Sequence, residues 1–101
     1  MVLVKEIYSI TSQLPAEEKF GFISQLNRCA VSIPSNIAEG SGRTSNKEFI
    51  HFLNIAISSS YELETQLILV EDLLQLDPRK QIDNLHELQL KIGAFKRSLN
   101  N

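Results

Sequence analysis

The stretch Gln25–Arg43, QLNRCAVSIPSNIAEGSGR, decides the fold because it carries two different stripes at helical spacing. The apolar stripe begins just before it and consists of Ile23, Leu26, Ala30, Ile33 and Ile37. The polar stripe consists of Gln25, Arg28, Ser32, Asn36, Glu39 and Arg43. The apolar stripe predicts a helix with a buried face. The ordered mixture of amides, hydroxyls and charges predicts a second face that makes specific contacts.

The length and composition indicate one folded domain, which we assign to residues 1–101. The chain has 101 residues, of which 43% are hydrophobic, so it can form a core of its own. Its net charge is −2, whereas proteins that bind nucleic acid regardless of sequence usually carry a basic excess. Any such binding therefore requires basic residues to cluster in the fold or in an oligomer.

The cysteine count and the N-terminus bear on the cellular compartment. Cys29 is the single cysteine, which excludes an intramolecular disulfide and suits a reducing cytosol. Lys5 and Glu6 interrupt the segment in which a signal peptide would have its apolar core. No apolar run approaches the roughly 18 residues that a membrane span needs. We therefore predict a cytoplasmic protein that does not enter the membrane.

The second helix is predicted to run from about residue 15 to residue 39. Pro34 lies inside the pattern, and because proline lacks the backbone N–H, we expect a kink or a local widening there. Gly40 and Gly42 follow, and glycine is the usual residue after a helix C-terminus. The two glycines are therefore expected to end this helix.

Three further amphipathic helices are predicted from seams of mainly apolar residues spaced three and four apart. These seams are Leu3, Ile7, Ile10 and Leu14 in the first helix; Phe49, Leu53, Ala56, Ser60, Leu63, Leu67, Val70 and Leu74 in the third; and Leu85, Leu88, Ile92, Phe95 and Leu99 in the fourth. The first covers residues 1 to about 13 and ends at Leu14–Pro15, since a residue before proline disfavours the helical conformation. The third opens with the capping box Ser45–Glu48 and continues to about Leu76. Asp77–Pro78 then begins the fourth helix.

Four amphipathic helices joined by short turns predict an all-α fold, specifically an antiparallel up-down-up-down four-helix bundle. The first helix is less than half as long as the third and cannot cover its whole apolar seam. Apolar surface on the second and third helices would therefore stay exposed in a monomer. This mismatch predicts self-association into an oligomer.

Two segments carry a family resemblance: SQLNRCAVSIPSNIAEGSGR at 24–43 and KEFIHFLNIAISSSYELETQL at 47–67. They resemble the small bacterial four-helix-bundle proteins encoded by intervening sequences in 23S ribosomal RNA genes. The resemblance covers about residues 8 to 76, and the phrase SIPSNIAEGSGR is specific. The chain departs from the pattern in its later-starting first helix and in Ser59, where we expect glycine.

The resemblance implies a homopentameric ring without enzymatic activity. The accessory variability determinant proteins of diversity-generating retroelements are similar bundles, and they work with nucleic acid beside a reverse transcriptase. By resemblance, the expected partners are further copies of this chain and RNA or DNA.

A polar interface stripe is predicted across the second and third helices. It consists of Gln25, Arg28, Ser32, Asn36, Glu39, Arg43, Asn54 and Glu62. Two interpretations stay open: hydrogen bonds within or between subunits that fix the helix register, or a face on which Arg28 and Arg43 meet a partner. In antiparallel helices Arg28 falls level with Glu62. The third helix carries an outer polar stripe that consists of Lys47, His51, Asn54, Ser58, Glu62 and Thr65. Because this stripe points away from the helix's own core, we expect the Arg28–Glu62 pair across subunits.

The remaining motifs do not form a catalytic or metal-binding pattern. Acid-x-x-His occurs at 48–51 and 83–86, but both histidines lie off the apolar seams, which predicts solvated side chains and no metal site. Ser58, Ser59 and Ser60 have no histidine at a plausible depth. Cys29 is expected to be a buried, inert thiol. We predict no enzyme activity, no cofactor and no small-molecule substrate.

Basic residues at two turns are the candidate nucleic-acid contacts. Arg43 and Lys47 lie at the turn before the third helix, and Arg79 and Lys80 at the turn after it. Five copies in a ring would multiply each pair into a circle of positive charge. The other interpretation is that these are ordinary solvated turn charges. The predicted function is therefore a nucleic-acid-associated accessory protein or, alternatively, a protein–protein assembly module that binds no nucleic acid.

Overall fold

The computed structural model describes residues 2–13, 19–74 and 77–100. Within these ranges the chain forms four α-helices: α1 (Val2–Thr11), α2 (Ser24–Ser41), α3 (Asn46–Leu74) and α4 (Arg79–Asn100). A π-helical turn, Lys19–Ile23, directly precedes α2. The described residues contain no strand, so the predicted all-α fold with four helices is confirmed. The molecule measures 45 × 23 × 18 Å, with α3 as its longest element.

One cluster of buried apolar side chains draws on all four helices. The members from α1 and α2 are Leu3, Ile7, Ile10, Leu26, Cys29, Ala30 and Ile33. The members from α3 and α4 are Leu53, Ala56, Leu63, Leu67, Val70, Leu85 and Ile92. Apart from Cys29, these are positions of the predicted apolar seams, so periodicity alone located this core.

Pro34 does not interrupt the second helix. α2 is α-helical from Ser24 to Ser41, and the widened turn lies earlier, at Lys19–Ile23. The predicted local widening at Pro34 is therefore wrong, and the predicted kink stays a prediction. The predicted boundary at Leu14–Pro15 and the predicted end at Leu76 lie outside the described residues.

Gly40 has a different role from the predicted one. α2 continues past it to Ser41, and Gly42 follows in an ordinary right-handed conformation, with φ −86° and ψ −1°. Gly40 is buried against α3, where a Cβ atom would lie 2.8 Å from Cδ1 of Phe49 and 2.8 Å from Cβ of Phe52. It therefore allows close helix approach and does not end the helix.

Contacts fix the relative order of the longer helices. Along α2, Arg28 contacts Glu62 and Ser32 contacts Ser59, so the residue numbers on α2 and α3 run in opposite directions. Between α3 and α4 the order is also reversed: Asn46 bonds Leu99, Asn54 bonds Lys96 and Glu64 bonds Gln89. The C-terminal turns of α4 therefore lie beside the first turns of α3.

Ser45 caps α3 as the S-x-x-E pattern predicts, with its hydroxyl accepting a hydrogen bond from the backbone N–H of Glu48 at 3.1 Å. Replacing Ser45 with alanine removes this acceptor and is expected to lower the free energy of unfolding by about 1 kcal/mol. Thr44→Ala, one residue earlier and also exposed, is the matched control. Urea unfolding of the two variants measures the difference, and equal midpoints would contradict the capping role.

Candidate functional site

An open cleft of about 680 Å³ lies at the turn between α2 and α3. Its lining includes Arg43, Ser45, Lys47, His51, Phe52 and Asn54. The turn supplies the first two of these side chains, and the first turns of α3 supply the others. We call this feature the cationic cleft.

Arg43 and two rings form one wall of the cleft. The Arg43 guanidinium carbon lies 4.8 Å from the centroid of the half-buried Phe52 ring, an arrangement typical of a cation–π contact. The exposed His51 ring stands edge-on to Phe52, with 5.5 Å between centroids and 72° between planes. Glu39, one turn before Arg43, pairs with its guanidinium. Arg43 is thereby oriented over Phe52 while 40% of its side chain stays exposed.

One basic side chain from α4 extends this positive region. Lys96 Nζ donates to Oδ1 of Asn54, a cleft residue, at 3.0 Å. Within the described ranges, no ion pair involves Lys47 or Lys96. We call Arg43, Lys47 and Lys96 the cationic end.

Two carboxylates lie among the basic side chains of the cationic end: Glu39 pairs with Arg43, and Glu48 lines the cleft. Three basic and two acidic side chains leave a small positive excess there, although the whole chain has a net charge of −2. The remainder of the chain is therefore acidic.

The four candidate nucleic-acid contacts separate into two places. Arg43 and Lys47 both line the cleft. Arg79 and Lys80 open α4, beyond the far end of the 29-residue α3, which spans about 43 Å. The first pair lies close to Lys96, which bonds the cleft residue Asn54.

The predicted polar interface stripe makes its contacts largely inside the chain. Gln25 Oε1 accepts hydrogen bonds from Nε and Nη2 of Arg28 at 3.2 and 2.9 Å. Arg28 Nη2 also donates to Glu62 at 2.6 Å within the same chain, not across subunits as expected. The reason is that Glu62 lies on the same flank of α3 as Ser59 and Gln66, which contact α2. Both members of the pair are about half exposed, so its stabilisation is below about 1 kcal/mol.

A smaller polar layer continues along α2. The hydroxyls of Ser32 and Ser59 lie 2.9 Å apart, and Asn36 Nδ2 donates to the Ser32 hydroxyl at 3.0 Å and to its carbonyl at 2.8 Å. The contact between the Ser32 and Ser59 hydroxyls links α2 to α3. Ser59, at the position where the family resemblance predicts glycine, is only 9% exposed. The layer thus contributes to register between the two helices.

Cys29 lies under the Arg28–Glu62 pair and is fully buried. Burial raises the pKa of its thiol from 9.0 to about 11, and a hydrogen bond to Glu62 adds to the rise. The same hydrogen bond, with the Arg28 charge, holds the pKa of Glu62 below its usual value. Because the nucleophile is the thiolate, this thiol is poorly reactive near neutral pH.

We expect Cys29 to resist alkylation by iodoacetamide at pH 8 in the folded protein and to react once urea unfolds the chain. The folded state keeps the thiol proton up to pH near 11, whereas the unfolded chain loses it near 9.0. This group's contribution to stability is therefore complete below pH 9 and is lost as the pH rises towards 11. Mass spectrometry of the time course measures the protection; labelling at equal rates in both states would contradict it.

The two acid-x-x-His pairs lie apart in the fold. Glu48 and His51 line the cleft, whereas His86 Nε2 lies 3.1 Å from Glu64 Oε1, which also accepts a bond from Gln89. In the described part of the chain, no three His, Cys, Asp or Glu side chains come together in a group that could hold a metal ion. Nor does any described helix have the length and apolarity to cross a membrane.

Sequence reasoning missed part of this site. From the sequence, His51 is predicted only to be a solvated side chain, and Phe52 and Lys96 have no predicted role. The spacing of Lys47, His51 and Asn54 on one outer stripe was a usable signal, since all three line the cleft. The contribution of α4 depends on tertiary register, which no local pattern specifies.

A second surface feature is apolar. Tyr61 and Ile68 share a helix face with Glu64, which contacts α4, and Leu90 follows Gln89 on α4. Tyr61 is 56% exposed, Ile68 46% and Leu90 75%. We call these three residues the apolar flank. Contiguous exposed apolar surface is typical of a contact surface, whereas single exposed apolar side chains are common on soluble proteins.

These features define a small all-α protein with a polar inter-helix layer, a cationic cleft at one end and an exposed apolar flank. The chain belongs to the family described as 23S rRNA-intervening sequence protein, whose family model matches residues 1–98. No curated protein matches the chain.

Proposed function

We propose that this protein is a cytoplasmic, non-enzymatic accessory protein that associates with nucleic acid. The observation that carries the proposal is the cationic end, where Arg43 from the turn before α3, Lys47 from α3 and Lys96 from α4 come together. Phosphate neutralisation by Lys and Arg provides most of the affinity in sequence-independent nucleic-acid binding. A cluster of basic side chains can neutralise phosphate groups locally, although the whole chain has a net charge of −2.

The proposed architecture is an up-down-up-down bundle of residues 1–101 that assembles into a homopentameric ring. The reversed contact order between α2 and α3, and again between α3 and α4, supports the bundle. The apolar flank, which the chain's own helices leave exposed, supports self-association. In a ring, one cationic end from each subunit contributes to a larger binding surface.

The test is a binding titration of RNA and duplex DNA with the purified oligomer, whose mass is fixed by light scattering. At about 0.1 M salt we expect binding that weakens as salt rises further. Lys47→Glu should weaken it strongly, whereas Lys80→Glu, at the other end of α3, should have little effect. No binding of either nucleic acid by a confirmed oligomer would overturn the proposal.

The alternative is an assembly module that recruits another protein and binds no nucleic acid. The apolar flank favours it, since Leu90 is 75% exposed and such side chains commonly anchor protein interfaces. The same titration separates the two functions. The alternative predicts no nucleic-acid binding and no effect of charge at Lys47.

A further inference from the structure

We propose that the cationic cleft binds one unpaired nucleotide of a single-stranded nucleic acid, with the base stacked at Arg43 and His51 and its phosphate at Lys47. The inference rests on the proposed function and names the ligand of the same site. It follows from three properties of the cleft: its size, its aromatic wall and the arrangement of its charges.

The size of the cleft fits a nucleotide. Small-molecule sites commonly enclose about 300 to 1,000 Å³, and the cleft has a volume of about 680 Å³. A base that is paired inside a duplex reaches such a site only when it leaves the stack, at a cost of a few kcal/mol. A single strand presents unpaired bases without that cost. The cleft therefore favours single strands over duplexes.

The aromatic wall fits a base. Proteins that bind single strands stack bases on aromatic side chains and on planar Arg guanidinium groups. Arg43 is held over Phe52 on one side and paired with Glu39, so its plane is already oriented before a ligand arrives. The His51 ring is exposed beside it and needs no rearrangement of the core to meet a base.

The charges fit one phosphate better than several. Lys47 lines the cleft, and Lys96 reaches its edge through the 3.0 Å bond to Asn54. Glu48 also lines the cleft, and its carboxylate would repel a second phosphate group. Against a base, the same carboxylate is a hydrogen-bond acceptor for an exocyclic amino group. A stacked base with a single phosphate satisfies all of these groups together.

The experiment compares one labelled strand of about 15 nucleotides, as DNA and as RNA, with the duplex that each forms with its complement. Fluorescence anisotropy is measured with the full-length protein at about 0.1 M salt. We expect single strands of both kinds to bind more tightly than their duplexes. His51→Ala should weaken single-strand binding at least about fivefold and leave duplex binding unchanged. Lys47→Ala should weaken both.

Two controls keep the result interpretable. Lys5→Ala removes an exposed positive charge outside the cleft, on α1, and should leave both affinities unchanged. Circular dichroism should show unaltered helix content in the His51 variant, whose side chain is exposed. In NMR spectra of the wild-type protein, stacking of a base should move the His51 ring signals upfield when the single strand is added.

The outcomes separate this inference from the proposed function. Duplex binding as tight as single-strand binding, with no effect of His51→Ala, would overturn the inference and leave the proposed function standing. No binding of either form would overturn both. Single-strand preference with unmoved His51 ring signals would also overturn the inference, because the base would then lie elsewhere.

Discussion

Replacing Gly40 with alanine is expected to lower the free energy of unfolding by about 1–3 kcal/mol, although alanine is the better helix former. The new Cβ atom would lie 2.8 Å from Cδ1 of Phe49 and 2.8 Å from Cβ of Phe52. Because the Phe52 Cβ is bonded directly to the α3 backbone, the steric clash can be relieved only if α2 and α3 move apart. Urea unfolding followed by circular dichroism measures the change.

Gly93 provides the matched control. It lies inside α4, where an added Cβ would meet only the flexible end of Arg97, at 3.5 Å. Gly93→Ala is therefore expected to raise the free energy of unfolding by up to about 1 kcal/mol. Two glycine-to-alanine changes should thus have opposite signs. Stabilisation by both substitutions would show that α2 and α3 do not approach closely at Gly40.

Replacing Leu67 with alanine is expected to lower the free energy of unfolding by about 2–5 kcal/mol. Its side chain is fully buried in the common core, so truncation removes apolar contacts and leaves a cavity. This is a large part of the roughly 5–15 kcal/mol that stabilises a typical domain. Thermal and urea unfolding measure the loss.

The adjacent Ile68 is the control for that prediction and tests the apolar flank. Ile68 is 46% exposed, so Ile68→Ala should change the stability of the isolated chain by less than about 0.5 kcal/mol. If the flank is an assembly surface, the same change should instead weaken association and reduce the dependence of the unfolding midpoint on protein concentration. Equal losses at Leu67 and Ile68, independent of concentration, would contradict both assignments.

Periodicity and capping patterns could be predicted because they are local. The spacing of Leu53, Leu63 and Leu67 follows from the helix repeat, and each is buried as expected. The Ser45 cap depends only on a residue three positions later. Such features need no knowledge of which helices become neighbours.

The features that escaped prediction depend on neighbours. Glycine is common just after a helix C-terminus, so the sequence predicts a helix end at Gly40. Its role as a contact position is evident only from Phe49 and Phe52 of α3, which lie against it. The prediction that Arg28 and Glu62 pair across subunits was wrong for the same reason, because the packing of α3 on α2 decides which way Glu62 points.

Charge separation along the 45 Å axis has a consequence for the kinetics and ionic-strength dependence of binding. The Debye length is about 30 Å at 0.01 M salt and about 10 Å at 0.1 M. In very dilute salt a distant polyanion therefore interacts with the acidic remainder of the molecule as well as with the cationic end, whereas at moderate salt it interacts with the near end alone. Once bound, its phosphates lie much nearer to the cationic end than to the remainder, so attraction dominates at both salt concentrations. The rate of association should consequently fall less steeply with salt than that of a uniformly basic protein.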